Sequence, residues 1–116
     1  MTIKEVDLFP VGTRRENGTL TPHIIVRIVS DDGTVGAGEM SDLGHNPVKP
    51  DVDHLEFMLR QALVGVDPSD PSVIDPIVDG YQAPLGPGID LAIHDLRAKK
   101  LGIPVHDLYG GAYRDR

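Results

Sequence analysis

The sequence predicts an α+β fold: a three-stranded antiparallel meander followed by about three helices. Three observations carry that prediction. Up to Glu39 apolar residues alternate with polar ones, whereas beyond Asp53 they recur at helical spacing. Asp31-Asp32-Gly33 forms a tight turn between two apolar runs, with glycine supplying the positive φ such turns need. The last helical run carries its own stop, Gly102 followed by Pro104.

The elements follow in order. Strand one runs from Ile3 to Val11, with Val6 and Leu8 on one face and Glu5 and Asp7 on the other. Strand two, His23 to Ser30, places Ile24, Val26 and Ile28 on an unbroken apolar face, while Arg27 interrupts the second. Strand three, Thr34 to Glu39, contains Gly36 and Gly38. The short turn joining strands two and three favours antiparallel pairing. Two longer stretches, Gly12 to Pro22 and Met40 to Pro50, are rich in Gly, Pro, Asn and Ser and read as loops. Loops of that length in a compact domain are often functional.

In the first helix Asp53 is the expected N-cap, with Glu56 three residues on completing a capping box. Leu55, Leu59 and Leu63 form its apolar stripe, with Phe57 and Met58 alongside, and Asp67-Pro68 ends it. A short second helix runs from Pro71 to Val78, opening on a proline. The third presents Ile89, Ala92, Ile93 and Leu96 on one face. Asp95 and Lys99 stand at i,i+4 in the favourable order, and Lys99 and Lys100 suit the negative end of the helix dipole.

Length and charge bound the function. At 116 residues the chain is one domain. Eleven basic against eighteen acidic residues leave a net charge of -7, which excludes an electrostatic attraction to nucleic acid or to an anionic membrane. With no cysteine, disulfides and thiolate metal sites are impossible. The N-terminus lacks a signal-peptide pattern and no apolar run approaches ~18 residues, so cytoplasmic residence is expected.

No complete catalytic motif is present: dinucleotide-binding, P-loop, nucleophile-elbow and HExxH patterns are all missing. His45, Asp51, Asp53, His54 and Glu56 could together attract a divalent metal, but capping by Asp53 and Glu56 accounts for the spacing without one. No metal ligand or catalytic residue is therefore assigned. His94, beside the apolar stripe of helix three, is expected to be packed and hydrogen-bonded. Asp95 reads as a structural ion pair or backbone acceptor, and Glu39 faces either a site or water. Arg14 and Arg15 put two forked donors on a long loop, able to grip a substrate carboxylate or simply to be solvated. His23 and His45 are weaker candidates for the same surface.

Ala92, Asp95-Leu96, Lys99, Leu101-Gly102, Pro104-Val105, Leu108 and Gly110-Gly111 resemble a run found in the enolase superfamily. Within it, the run looks like that of the mandelate racemase and muconate lactonizing enzymes. "SDDGTVGAGE" is similar to that family's strand-turn-strand, and "LVGVDPSD" to its first helix exit. The resemblance implies that residues 1–116 are an N-terminal capping domain, and that the TIM-type barrel which follows it in the family is missing from this chain.

Further expectations come from the resemblance alone. The barrel would carry the acid–base residues and the Mg²⁺ ligands, and would abstract a proton alpha to a carboxylate, as a racemase, cycloisomerase or acid-sugar dehydratase. The 116 residues would be inert alone. The two loops would fold over the barrel mouth, making Arg14, Arg15, His23 and His45 substrate contacts, and would lack order without the barrel beneath them. The implied partners are that barrel and a small carboxylate substrate such as a sugar acid, in a homo-oligomeric parent. An alternative is a free-standing interaction module that kept the fold and lost the barrel.

Overall fold

The computed structural model describes residues 1–14, 20–40, 51–81 and 85–102. Three strands, β1 (Ile3–Arg14), β2 (Leu20–Ser30) and β3 (Val35–Met40), form one antiparallel sheet in the order β1-β2-β3. Three helices follow: α1 (Val52–Leu63), α2 (Pro71–Asp79) and α3 (Leu85–Leu101). This is the expected meander-then-helices architecture. No described helix is long and apolar enough to cross a membrane.

The first two strands are longer than the sequence pattern indicates. Pairing continues through Gly12↔Pro22, Thr13↔Thr21 and Arg14↔Leu20, so part of the expected loop, Arg14 included, belongs to the sheet. The Gly, Asn and Pro residues between Gly12 and Pro22 misled the reading, because such residues ordinarily break a ladder. Leu8 N–H turns away from β2, to Glu56, so the even-numbered residues of β1 and their partners have no bond to give across this pair. Pro10 and Pro22 fall in that set. The order of the two loops is a question that lies outside the described residues.

One sheet face is buried. Val6, Leu8, Ile24, Val26, Ile28 and Met40 meet the helices through Leu59, Leu63, Ile89, Ile93 and Leu96, all between 0 and 5% exposed. Burial of this kind contributes about 1.5–3 kcal/mol per large aliphatic side chain and is what holds the layers together. Phe57 and Met58 stand apart from it, at 56% and 45% exposure. Phe57 lies about 200° round the helix from Leu55, which turns it off the stripe.

Helix α1 is capped two residues earlier than expected. Asp51, not Asp53, is the N-cap, and its carboxylate accepts from His54 N–H at 3.2 Å. Glu56 is then too far into the helix to reach back. It accepts instead from Leu8 N–H of β1 at 2.8 Å. Past α1, Gly65 takes φ 89, and its N–H donates to Ile3 C=O at 2.8 Å while Ile3 N–H donates to Val66 C=O at 2.9 Å. The chain thus returns to the start of β1, so α1 runs antiparallel to it.

α3 is likewise antiparallel to β3, with Gly88 beside Met40 and Lys99 beside Val35. Gly36 and Gly38 face it from the strand, where the sheet backbone approaches the helix directly. The expected C-terminal stop is present, with Gly102 at φ 72 and its N–H donating to Lys99 C=O.

The β2–β3 turn is tied to the end of α3. Asp32 accepts from Thr34 N–H at 3.1 Å and from the Ser30 hydroxyl, and pairs with Lys100. The Lys100 ammonium first, then the hydrogen bonds from Ser30 and Thr34, hold the Asp32 carboxyl well below its ordinary 3.8. A carboxylate depressed in the folded state stabilises it above the unfolded value and loses that contribution as pH falls. Acidification from about pH 5 to pH 2 is therefore expected to lower the melting temperature of the wild type more than that of Asp32→Asn. Parallel curves would show the pairing to be inconsequential.

Candidate functional site

The meander decides where the predicted site residues gather. β1 ends, β2 begins and β3 ends at one end of the sheet, so the segments 15–19 and 41–50 both leave from it. Because α1 and α3 run antiparallel to their neighbouring strands, their N-termini point to the same end. Each brings the partial positive charge of its helix dipole, which favours an anionic ligand there.

Of the four residues proposed from the sequence, His23 is the one whose side chain the structure describes. It lies on the sheet face opposite the helices, its side chain 12% exposed, with Nδ1 2.9 Å from Glu39 Oε1. Register explains the pair: Glu39 sits directly across from Ile25, which puts it diagonal to His23 on the same face. Glu39 is thus the residue that sequence reasoning could not rank. Its signal was the alternation of β3, where Gly36, Gly38 and Met40 are buried and Val35, Ala37 and Glu39 are exposed. Beside the pair is a shallow depression of about 300 Å³ lined by Ile25, Ala37, Gly38, Glu39 and Leu91.

Arg14 is the last residue of β1, paired through its backbone with Leu20, which sets it at the base of the first loop. Arg15 and His45 lie outside the described residues. The structure therefore brings Arg14 and His23 to one end of the sheet and leaves the other two unplaced.

The remaining candidates have structural roles. His94 Nδ1 is 2.8 Å from Asp90 C=O and 3.2 Å from its carboxylate, the packed, bonded histidine that its position predicted. Asp95 is both things it was read as: it accepts from Ala37 N–H at 2.8 Å and pairs with Lys99 at 2.9 Å. A larger groove, about 510 Å³, opens toward the start of β1 beside Lys4, Glu5, Asp7, Arg27 and Arg60. Its arginines are already matched, Arg27 by Glu5 at 3.4 Å and Arg60 by Asp7 at 3.0 Å. An incoming carboxylate would gain little there. Among the described residues no three His, Asp or Glu side chains converge where a metal could sit. The described end of the sheet can therefore contact a ligand through the His23–Glu39 pair, and the described residues there form no cluster that could hold a metal.

The model of the family described as "Mandelate racemase / muconate lactonizing enzyme, N-terminal domain" matches residues 2–110. D-xylonate dehydratase from Haloferax volcanii is 31% identical over 97% of this chain and 28% of its own length. A D-galactonate dehydratase family member from a Paenibacillus species is 36% identical over 86% of this chain and 26% of its own. Among solved structures, muconate lactonizing enzyme from Pseudomonas putida superposes with a TM-score of 0.81 at 22% identity, over 99% of this chain and 34% of that one. That likeness is one of fold. The chain spans about a quarter to a third of the length of the proteins it matches.

Proposed function

Because this chain belongs to the mandelate racemase / muconate lactonizing enzyme N-terminal domain family, we propose that it is the substrate-capping domain of an enolase-superfamily enzyme acting on a sugar acid. The observation that carries the reading is the departure of both loop segments from one end of the sheet, the end toward which both helix dipoles point. A lid built this way excludes water and touches the distal part of a bound substrate while the chemistry proceeds beneath it. Dehydratases of D-xylonate and D-galactonate among the relatives support a polyhydroxy carboxylate as the ligand.

Arg14 and Arg15 are assigned to the carboxylate or hydroxyl groups of that substrate, His23 and His45 to its flanks. The described residues do not fit a Mg²⁺ site. The metal, the base and the barrel are therefore assigned to the parent protein. The parent is expected to be a cytoplasmic homo-oligomer.

Two assays test the proposal. The 116-residue chain is expected to leave D-xylonate and D-galactonate unchanged in the presence of Mg²⁺, whereas the parent carrying a barrel dehydrates one of them. Turnover by the chain alone would sink the reading. In the parent, Arg14→Ala/Arg15→Ala is expected to raise KM at least about tenfold with a smaller change in kcat, since a guanidinium gripping the distal part of the substrate acts through binding. An unchanged KM would remove both arginines from the site. An encoding gene that continues into no barrel would favour the interaction-module alternative.

A further inference from the structure

Each edge of the three-stranded sheet is met by one helix that carries an acid and, four residues later, a base. On the β1 edge, Glu56 of α1 accepts from Leu8 N–H at 2.8 Å and Arg60 Nε donates to Val6 C=O at 2.8 Å. The two side chains also pair with each other at 3.1 Å. On the β3 edge, Asp95 of α3 accepts from Ala37 N–H at 2.8 Å and Lys99 Nζ donates to Val35 C=O at 2.9 Å. These two pair at 2.9 Å.

Both sites obey one rule. The acid takes the outward N–H of a strand residue, and the base takes the outward C=O two residues before it. The match is one of spacing, because four helical residues rise about 6 Å and two strand residues about 6.7 Å. It is also one of direction. Each helix runs antiparallel to the strand it covers, so the acid, which comes first on the helix, meets the later strand residue. Acid before base is the order that an i,i+4 pair favours within a helix as well.

We propose that Glu56–Arg60 and Asp95–Lys99 are matched strand-edge caps, standing where a fourth strand would hydrogen-bond and so excluding strand addition by a second copy of this chain. An edge left open offers its N–H and C=O groups as a template for pairing. The template here is attractive, since β1 also exposes Phe9 and Val11, each 43% accessible. Pro10 extends the protection past the reach of α1: it is the next outward-facing residue after Leu8, and it has no N–H to offer. The inference concerns the sheet edges and holds whatever the loop end binds.

Amide hydrogen exchange and analytical ultracentrifugation on the folded chain test it. Asp95→Ala is expected to speed exchange at Ala37 by at least about tenfold while Val26 and Ile28 on the central strand stay protected. Asp95→Asn keeps an accepting oxygen and is expected to retain most of the protection. Glu56→Ala is expected to act on Leu8 as Asp95→Ala acts on Ala37. The Asp95→Ala/Lys99→Ala double variant, which leaves the β1 side intact, is expected to associate with rising concentration beyond the wild-type state. Unchanged exchange at Ala37 and Leu8 would overturn the assignment of the caps. Faster exchange without added association would overturn the exclusion of a second copy.

Discussion

Gly38→Val is expected to leave no cooperatively folded domain, or one weakened by at least about 3 kcal/mol. A Cβ at Gly38 would stand 2.3 Å from Gly88 C=O and 2.7 Å from Ala92 N, and one at Gly36 would stand 2.4 Å from Ala92 C=O. These are backbone atoms of a helix, and no rotamer change moves them aside. To admit a side chain, α3 must lift from β3, parting Ile89, Ile93 and Leu96 from the core, where each is now at most 1% exposed. Gly33 supplies the contrast. Its φ is 87 and nothing lies within 4 Å of its notional Cβ, so Gly33→Ala meets only left-handed strain, about 1 kcal/mol. Urea titrations of both variants check the difference. A Gly38→Val midpoint close to that of wild type would mean that helix and strand are not in this contact.

Leu59→Ala is expected to cost about 3–4 kcal/mol, whereas Met58→Ala, its neighbour in sequence, stays within about 0.5 kcal/mol. Leu59 is 0% exposed on the stripe by which α1 faces the sheet, and Met58 is 45% exposed. Both changes shorten a side chain on the same turn of α1, and alanine favours a helix at either position. The comparison therefore isolates burial from propensity. Truncation at Leu59 removes apolar contact and leaves a cavity that the surrounding Leu55, Leu63 and sheet side chains close only in part. Equal losses at the two positions, read from chemical denaturation, would show that α1 is not docked through this stripe.

Much of the fold was legible because its signals are local. Alternation in β2 identified Ile24, Val26 and Ile28 as core, and all three are at most 1% exposed. The Asp31-Asp32-Gly33 turn, the run Ile89, Ala92, Ile93 and Leu96, and the stop at Gly102 each depend on residues within a few positions of one another. The i,i+4 pair of Asp95 and Lys99 was visible for the same reason. Arg14 was legible as a kind of chemistry, a forked cation near a long loop, and as a place only through the pairing of β1 with β2.

What local pattern could not give was partnership across the chain. The sequence paired Asp53 with Glu56 as a capping box, and Leu8 overturned it: its N–H takes the Glu56 carboxylate from 48 positions away, while Asp51 caps the helix. Glu39 could not be ranked until β2–β3 register set it diagonal to His23. Two glycines in β3 announced a gap without saying what fills it, and the occupant is the backbone of α3. The sequence by itself determined which elements form, in what order and with which face inward, because φ/ψ preference and hydrophobic period act over one or two turns. The tertiary structure alone decided where β1 ends, which carboxylate serves a cap and which an edge, and which histidine meets which acid. Those outcomes depend on how closely two packed backbones approach, a distance set by the whole core and encoded in no single stretch.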